Sequence, residues 1–303
     1  MYKRVIIIVL LFMILSLAGC TKEEGYIKVI VPNGTPLIAI SGVESDNMII
    51  ENVSGPSLLT AAMTAKTHDI IIAPITTGVK LYNREASDYK LDSIITFSNL
   101  YLVSKNELTD INDLENQKII GYGQGTTPSI ILEKALQDVN AEITYVSSVS
   151  DAVSFLVNET DEYDYILTAE PTLSVLIHQK NLKLNILDLG EVVENDLPII
   201  PQAGIFVNPD SKYLDEIKEY INEIKNNIAS LNNDPKGYAA KIVDKNDWLR
   251  QMSADIIEQS IPKSNIDYIK AKDNQEQLHI FYQYLNSINY DILNGDVDEN
   301  FYY

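Results

Sequence analysis

Two glycine-rich loops contain the residues best suited to hold a small ligand. The first is Gly34-Thr35-Pro36, and the second is Gly123-Gln124-Gly125-Thr126-Thr127, which Pro128 follows. Glycines let the backbone turn sharply and let a ligand approach it closely. Threonine is a good N-cap, and proline suits the first turn of a helix. Each loop therefore predicts a helix start that presents free N–H groups, hydroxyls and the positive end of a helix dipole to one point.

Two more specific interpretations of the second loop are excluded by its sequence. A dinucleotide-binding fingerprint needs a third glycine where Thr126 stands, and an acidic residue after the next strand, where Ser147 stands. A phosphate-binding P-loop needs a Gly-Lys-Ser/Thr sequence, and no lysine follows these glycines. Taken alone, the loop is compatible with a ligand site or with a tight turn in an α/β domain.

The second loop repeats the organisation of the first, and this repeat favours a ligand site over a simple tight turn. An apolar segment precedes each loop, and a helix-like segment follows it. The chain then reaches Asp69–Pro74 in the first half and Asp164–Pro171 in the second, each with an aspartate, an apolar strand and a final proline. Ile70–Ala73 is continuously apolar, as in a buried parallel strand. Two matching halves predict two α/β lobes that face each other across a cleft.

Polar and proline-containing segments set the predicted lobe boundaries. Leu108–Gln117 is a polar connector, and we place the first crossover just before it. Pro198–Val207 contains two prolines, which disfavour a regular central strand and suit a second crossover. The first lobe is therefore predicted to comprise residues 26–104 and 203–303, and the second residues 105–202. After the second crossover, apolar residues recur at intervals of three and four, which predicts helices that complete the first lobe.

The N-terminus has the layout of a bacterial secretion signal. A short basic segment is followed by an apolar run, Val5–Leu15, and then by Leu17-Ala18-Gly19-Cys20. This last sequence resembles the lipobox, in which the cysteine is diacylated and becomes the new N-terminus. The apolar run is short for a membrane span of ~20 residues, which disfavours an uncleaved anchor. We therefore predict a signal peptide over residues 1–19, lipidation of Cys20 and a tether over residues 20–25.

Composition and reactive motifs exclude several functional classes. The chain has 43 acidic and 23 basic residues and a formal charge of −20, so it repels nucleic acid and anionic lipid. Cys20 is the only cysteine, and the three histidines are not grouped with acidic residues at metal-ligand spacing. No nucleophile–base motif is present, so we predict that the protein is not an enzyme. We also expect a monomer that uses no metal or cofactor.

The lipobox, the two glycine-threonine-proline loops and the strand that ends in Ala169-Glu170-Pro171 together resemble the solute-binding proteins of ABC importers. The most similar subgroup contains the nitrate, sulfonate and taurine binders and the thiamin-precursor binders. The resemblance implies a type II periplasmic-binding-protein fold, in which two α/β lobes joined by two crossovers close on a ligand. It also implies an extracytoplasmic protein, anchored to the cell membrane by its lipid, that delivers a small molecule to a permease served by a separate ATPase subunit.

The ligand loops of this subgroup correspond to positions in both halves of the sequence. The implied ligand-binding residues are Gly34, Thr35, Pro36, Ser54, Gly55, Pro74, Ile75, Thr76, Gly123, Gln124, Gly125, Thr126, Thr127, Glu170 and Gln202. To these we add Tyr101, which with Tyr82 and Tyr122 is a candidate to stack on a flat ring.

The charged residues near these loops indicate the class of ligand. Arg84 and Arg250 are the only arginines after the predicted signal peptide, and neither lies in a candidate loop, so no arginine clamp for a sulfonate is predicted. Glu170 repels an anion and accepts hydrogen bonds from amino or ring N–H groups, which favours a neutral or cationic heteroaromatic such as a thiamin-precursor pyrimidine. The alternatives are a sulfonate or nitrate held by helix N-termini, an anchored ligand sensor, and an enzyme, as in some relatives. Glu170 itself has an alternative role as a helix-capping acid.

Overall fold

Two β-sheets form the framework of the protein in a computed structural model that describes residues 25–158 and 163–303. The first sheet has the strand order β11-β4-β10-β3-β1-β2, and the second has the order β7-β6-β8-β5-β9. The strands are β1 (Ile27–Pro32), β2 (Met48–Val53), β3 (Ile70–Pro74), β4 (Lys90–Phe97), β5 (Leu100–Ser104), β6 (Lys118–Tyr122), β7 (Glu142–Val146), β8 (Tyr165–Ala169), β9 (Asn185–Asp188), β10 (Pro201–Val207) and β11 (Ile266–Lys270). The predicted signal peptide, Cys20 and the tether before Gly25 lie outside the described residues.

Helices connect the strands and pack on the sheets. They are α1 (Thr35–Ile40), α2 (Pro56–Ala65), α3 (Ile75–Asn83), α4 (Thr127–Ala135), α5 (Val149–Val157), α6 (Thr172–Ser174), α7 (Leu189–Val193), α8 (Leu214–Asn233), α9 (Pro235–Ile242), α10 (Asp247–Arg250), α11 (Ala254–Ser260) and α12 (Gln275–Ile288). Helix α6 continues as a π-helical segment, Val175–Gln179. Within the two described ranges, no helix has both the length and the apolar composition needed to cross a membrane.

The two sheets share one internal order, which confirms the predicted two-lobed α/β architecture. In the first sheet, β1 lies between its parallel neighbours β2 and β3, and β10 runs antiparallel beside β3. In the second sheet, β6 lies between its parallel neighbours β7 and β8, and β5 runs antiparallel beside β8. Strand β5 is the first after the chain leaves the first sheet, and β10 is the first after it returns. The loops after the parallel strands are therefore placed equivalently in the two sheets.

The first crossover lies earlier in the chain than the sequence indicates. The prediction assigns Leu100–Ser104 to the first lobe, but this strand pairs with β8 and β9 in the second sheet. The chain therefore passes between the sheets at Ser98 and Asn99, and we propose lobe boundaries there and just before Pro201. The pattern of residues could not reveal this, because β5 is largely apolar and completely buried, and such a strand fits either sheet.

A buried tyrosine fixes the helix that follows the first glycine-rich loop. The Tyr238 hydroxyl, whose residue is 5% exposed, donates to the Ile38 carbonyl at 2.6 Å. It accepts from the Gly42 N–H at 3.0 Å and from the Asn227 amide at 2.9 Å. Buried backbone groups at a helix end need such partners. The network therefore anchors α1 to α8 and α9, and with it the position of the loop that begins α1.

Candidate ligand-binding cavity between the two sheets

A cavity of about 490 Å³ lies between the two sheets, with walls from both halves of the chain. It is formed by the loops at the carboxyl ends of parallel strands, which is the usual position of a ligand site in open α/β sheets. The predicted residues that line it are Gly34, Thr35, Pro36, Gly55, Pro74, Thr76, Thr126, Thr127, Glu170 and Gln202. The structure therefore brings the two glycine-rich loops and Glu170 together at one place.

Four helices begin at the wall of this cavity, and none of their N-cap residues forms a side-chain capping bond. Helices α1, α2, α3 and α4 start directly after Gly34, Gly55, Pro74 and Thr126, and all four residues line the cavity. Helix α5, by contrast, is capped by the Ser148 side chain. The first N–H groups of a helix have no partner within the helix and carry its partial positive charge. The cavity is therefore surrounded by backbone donors that no side-chain cap occupies.

Two of these helix starts depend on glycine. Gly34 and Gly55 have φ angles of 109° and 86°, which lie in the region that other residues rarely adopt. The space beside Gly55 is open, since a Cβ atom built there has no neighbour within 4 Å. Backbone conformation, rather than crowding, therefore requires glycine at position 55.

A chain of buried hydrogen bonds joins the two sheets beside the cavity. The Asn99 side-chain amide donates to the Thr35 hydroxyl at 2.9 Å, and this hydroxyl donates to the Glu170 carbonyl at 3.3 Å. Thr35 is 3% exposed and Asn99 is 4% exposed. Asn99 lies at the first crossover, Thr35 in the first loop and Glu170 after strand β8 of the second sheet. The chain of bonds therefore connects the crossover to a loop of each lobe.

Glu170 provides the only charged side chain among the described residues of the cavity wall. Its carboxylate accepts the Ser174 N–H at 3.1 Å and the Ser174 hydroxyl at 3.0 Å, which is a helix-capping arrangement. Burial raises the pKa of Glu170 to about 7, although the Ser174 bonds and the charge of Lys263 oppose this shift. The carboxyl group therefore changes charge near neutral pH. In the described chain, no group of three or more His, Cys, Asp or Glu residues is placed to hold a metal ion.

Comparison with solved structures identifies the fold. No family model matches the chain, and no curated protein matches it. An ABC transporter from Parabacteroides distasonis superposes with a TM-score of 0.77 and 21% identity, over 92% of this chain and 98% of that one. A Candida albicans protein with the generic periplasmic binding protein fold superposes with a TM-score of 0.55 and 15% identity, over 91% and 93% of the two chains. The chain has the periplasmic-binding-protein fold.

A ligand-binding protein of known specificity shares this periplasmic-binding-protein fold. The periplasmic aliphatic sulphonate binding protein SsuA from Escherichia coli superposes with a TM-score of 0.63 and 13% identity, over 88% of each chain. At such low identity the likeness shows the fold. The order of strands seen here, with an antiparallel strand inserted beside the third parallel strand of each sheet, agrees with the type II arrangement.

Some residues that the sequence predicts to bind the ligand lie outside the wall of the cavity. Ile75 is completely buried in the core, and the Tyr101 hydroxyl donates to the Lys263 carbonyl at 2.6 Å. The Ser54 hydroxyl accepts from the Asn33 amide at 2.9 Å. Gly125 lines a smaller adjoining cavity of about 320 Å³. The remaining residues of the second loop that do not line the main cavity are Gly123 and Gln124.

Several residues of the wall were not predicted as ligand-binding residues. They are Pro32, Asn33, Pro56, Leu59, Thr77, Thr96, Asn99, Leu100, Tyr122, Pro128, Ala169 and Ala203. Many are sequence neighbours of predicted residues, so extending each loop by one position would have included them. Of the three tyrosines considered for ring stacking, Tyr122 lines the cavity, whereas the Tyr82 hydroxyl donates to Asp298 at 2.6 Å in another part of the first lobe. No sequence motif identified Asn99, because its hydrogen bond to Thr35 depends on where the first crossover lies.

Proposed function

We propose that the protein is the ligand-binding subunit of an ABC importer and captures a small molecule between its two lobes. The observation that carries the proposal is the convergence of four uncapped helix N-termini, three from the first lobe and one from the second, on a single cavity. A ligand in this cavity touches both lobes and so stabilises their closed arrangement. The periplasmic-binding-protein fold supports the same proposal. A permease and a separate ATPase subunit are the expected partners, and the binding subunit acts as a monomer.

For the ligand we propose a neutral or cationic heteroaromatic, such as a thiamin-precursor pyrimidine. The cavity wall contains no arginine or lysine among its described residues, and its one carboxyl group, that of Glu170, accepts hydrogen bonds when it is ionised. Tyr122 provides an aromatic surface for a flat ring. Such a ligand binds more tightly above pH 7, where Glu170 is ionised, than below it.

A sulfonate or nitrate is the second candidate, and the uncapped helix N-termini favour it. An anion of this kind needs donors, which the four helix starts supply, and it avoids a carboxylate. Protonation of Glu170 removes that negative charge, so an anion binds more tightly below pH 7 than above it. The two candidates therefore predict opposite pH dependences at the same site.

A thermal-shift screen at pH 6 and pH 8 tests the proposal and separates the two ligand classes. The panel contains thiamin-precursor pyrimidines, thiamin, riboflavin, taurine, alkanesulfonates, nitrate and bicarbonate. A ligand at 100 times its Kd adds roughly 2.7 kcal/mol to the free energy of unfolding, which produces a clear shift. Stabilisation by a pyrimidine, larger at pH 8, supports the heteroaromatic proposal. Stabilisation by sulfonates alone, larger at pH 6, contradicts it and supports the anion.

We also propose that Cys20 anchors the protein to the extracytoplasmic face of the cell membrane through attached lipid. The proposal rests on the lipobox-like sequence that ends at Cys20. Cell fractionation of the Cys20→Ala variant tests it, because the variant should no longer carry lipid. Metabolic labelling with palmitate distinguishes the two states directly. A variant that remains in the membrane fraction and is still labelled contradicts the lipid anchor at this position.

A further inference from the structure

A smaller cavity, of about 320 Å³, adjoins the ligand cavity between the two lobes. Thr76, Thr77 and Thr126 line both cavities, so the two spaces meet at these three threonines. The other residues that line the smaller cavity are Lys80, Gly125, Asn289, Asp291 and Ile292. Asn289 and Asp291 are exposed, so this cavity lies towards the solvent, and we call it the mouth cavity. A ligand held in the main cavity can therefore extend into the mouth cavity between the lobes.

One cationic and one anionic side chain line the mouth cavity, and neither has a partner. Within the two described ranges, the Lys80 ammonium and the Asp291 carboxylate form no ion pair or hydrogen bond, either with each other or with another residue. Other lysines of this acidic chain, such as Lys66 and Lys134, do pair with aspartates. Opposite charges that line one cavity without pairing are complementary to a ligand group that carries both charges.

Helix α3 fixes the positions of both charges. It carries Lys80, which is half-buried, and Asn83 is its last residue. The Asn83 amide donates to the Leu293 carbonyl at 2.9 Å and to the Gly295 carbonyl at 2.8 Å. These bonds hold the segment that carries Asp291 against α3. The backbone positions that present the cation and the anion are therefore fixed relative to each other on the first lobe.

Uncharged polar groups lie beside the two charges. The Thr76 and Thr77 hydroxyls have no hydrogen-bond partner in the described chain, and the same is true of the Asn289 amide nitrogen. The Asn289 side-chain oxygen accepts the Asp291 N–H at 2.9 Å, which leaves the nitrogen to donate. Thr76 and Thr77 precede Lys80 by four and three residues, so one face of α3 presents all three side chains. The mouth cavity therefore offers a cation, an anion and neutral hydrogen-bonding groups to one polar group.

The two cavities together define a class of ligand. The mouth cavity matches a zwitterionic α-amino acid group, in which a carboxylate and an ammonium are attached to one carbon atom. The main cavity contains Tyr122 as a surface for a flat ring and Glu170 as an acceptor for a ring N–H. Tryptophan and histidine combine such a ring with such a group.

We propose that the ligand is a heteroaromatic amino acid, with its ring in the main cavity and its zwitterionic group in the mouth cavity. Its carboxylate pairs with Lys80, and its ammonium pairs with Asp291. The Thr76 and Thr77 hydroxyls hydrogen-bond to the same group. Thr126 of the second lobe also lines the mouth cavity, so the amino acid contacts both lobes. This inference rests on the proposed function, because it specifies the ligand of the same site.

Isothermal titration of L-tryptophan and L-histidine into the full-length chain tests this inference. We expect saturable binding of at least one of them, at one site. Two analogues of that amino acid each lack one charge: tryptamine and histamine lack the carboxylate, whereas indolepropionate and imidazolepropionate lack the ammonium. Each analogue should bind with a Kd about fivefold higher or more, because a lost ion pair of ~1 kcal/mol corresponds to this factor.

Matched variants show which side chain contacts each charge of the ligand. Lys80→Met removes the ammonium and keeps the stem, and its control, Lys236→Met, changes an exposed lysine of helix α9. Lys80→Met should raise the Kd of the amino acid about fivefold and leave that of the analogue without a carboxylate unchanged. Asp291→Asn should weaken the amino acid similarly and leave the analogue without an ammonium unchanged, with the exposed Asp46→Asn as its control. Neither control should change a Kd by more than about twofold, because distant exposed charges are screened.

Several results overturn the inference. Absence of saturable binding of either amino acid overturns it, and stabilisation by a pyrimidine or a sulfonate in the thermal-shift screen then leaves the proposed function intact. Equal affinity for the amino acid and both analogues shows that the zwitterionic group is not recognised. Equal weakening by Lys80→Met and Lys236→Met shows that the net charge of the protein, rather than the mouth cavity, sets the affinity. Absence of binding by every compound of both sets contradicts the proposed function as well.

Discussion

The hydrogen bonds of Thr35 should make a measurable contribution to stability, because they form a buried connection between the two lobes. Thr35→Val keeps the shape of the side chain and removes the hydroxyl. The Asn99 amide then loses its acceptor, and the Glu170 carbonyl loses its donor. Both groups lie in a region where Thr35 and Asn99 are less than 5% exposed, so water does not readily replace the lost partners.

The two lost bonds should not contribute equally. Leaving a buried polar group without a partner costs about 1–3 kcal/mol. The bond from Asn99 to Thr35 is 2.9 Å long, which is normal for an amide donor, whereas the bond from Thr35 to Glu170 is 3.3 Å long. Hydroxyl hydrogen bonds usually measure about 2.5–3.0 Å, so the second bond is weak. We therefore expect Thr35→Val to cost about 2 kcal/mol, most of it from Asn99.

Thermal unfolding of the ligand-free protein measures this cost, with Thr76→Val as the matched control. Thr76 also lines the ligand cavity, and its hydroxyl makes no hydrogen bond within the described part of the chain. Thr35→Val should lower the melting temperature by about 4 °C or more, and Thr76→Val should lower it much less. The double variant Thr35→Val/Asn99→Ala should lose less than the sum of the single variants, because both remove the same bond. Equal effects of the two valine variants would refute the reasoning.

Substitutions of two buried side chains, Glu170 and Tyr238, should also change the stability of the protein. Burial raises the pKa of Glu170 from 4.5 to about 7, so the folded protein binds a proton more tightly than the unfolded chain. The stabilisation from this proton is complete below pH 4.5 and is lost as the pH rises to 7, by roughly 3 kcal/mol at most. Urea denaturation of Glu170→Gln across this range should show a free energy of unfolding that changes less with pH than in the parent. An unchanged pH dependence would contradict the raised pKa of Glu170. Tyr238→Phe should cost about 2–3 kcal/mol in thermal unfolding, because it leaves the partners of the hydroxyl unpaired. Tyr220→Phe should cost almost nothing, because the Tyr220 hydroxyl is buried without a partner, and equal losses would contradict both assignments.

Local sequence patterns were sufficient to predict the loops that form the cavity. The glycines, threonines and prolines of the two loops specify backbone turns and helix starts directly, and the repeat of these signals indicated two matching lobes. The two loops meet in the structure, together with Gly55, Pro74 and Glu170. The capping role considered for Glu170 is present, since its carboxylate binds Ser174, and the same residue also lines the cavity.

Long-range pairing and side-chain direction could not be predicted in the same way. Strand β5 was assigned to the wrong lobe, because an apolar strand does not specify its partners. Its residue Tyr101 consequently pairs opposite Thr168 and Asp188 in the second sheet. Ile75 lies in a predicted loop, but its apolar side chain is completely buried. Asn99 was not predicted to line the cavity, because its bond to Thr35 depends on its position at the crossover and not on its neighbours in the sequence.

We propose that a small molecule binds in the cavity between the lobes and contacts the helix start at Thr126 and Thr127. Isothermal titration of the ligand found by the screen, into the parent and into Thr126→Ala/Thr127→Ala, tests it most directly. Gln124→Ala is the matched control, since Gln124 belongs to the same loop and does not line the cavity. Two hydrogen bonds of roughly 0.5–1.5 kcal/mol each predict a Kd about 5- to 150-fold higher in the double variant, with the control unchanged. Saturable binding with the same Kd in all three proteins would contradict the proposed site.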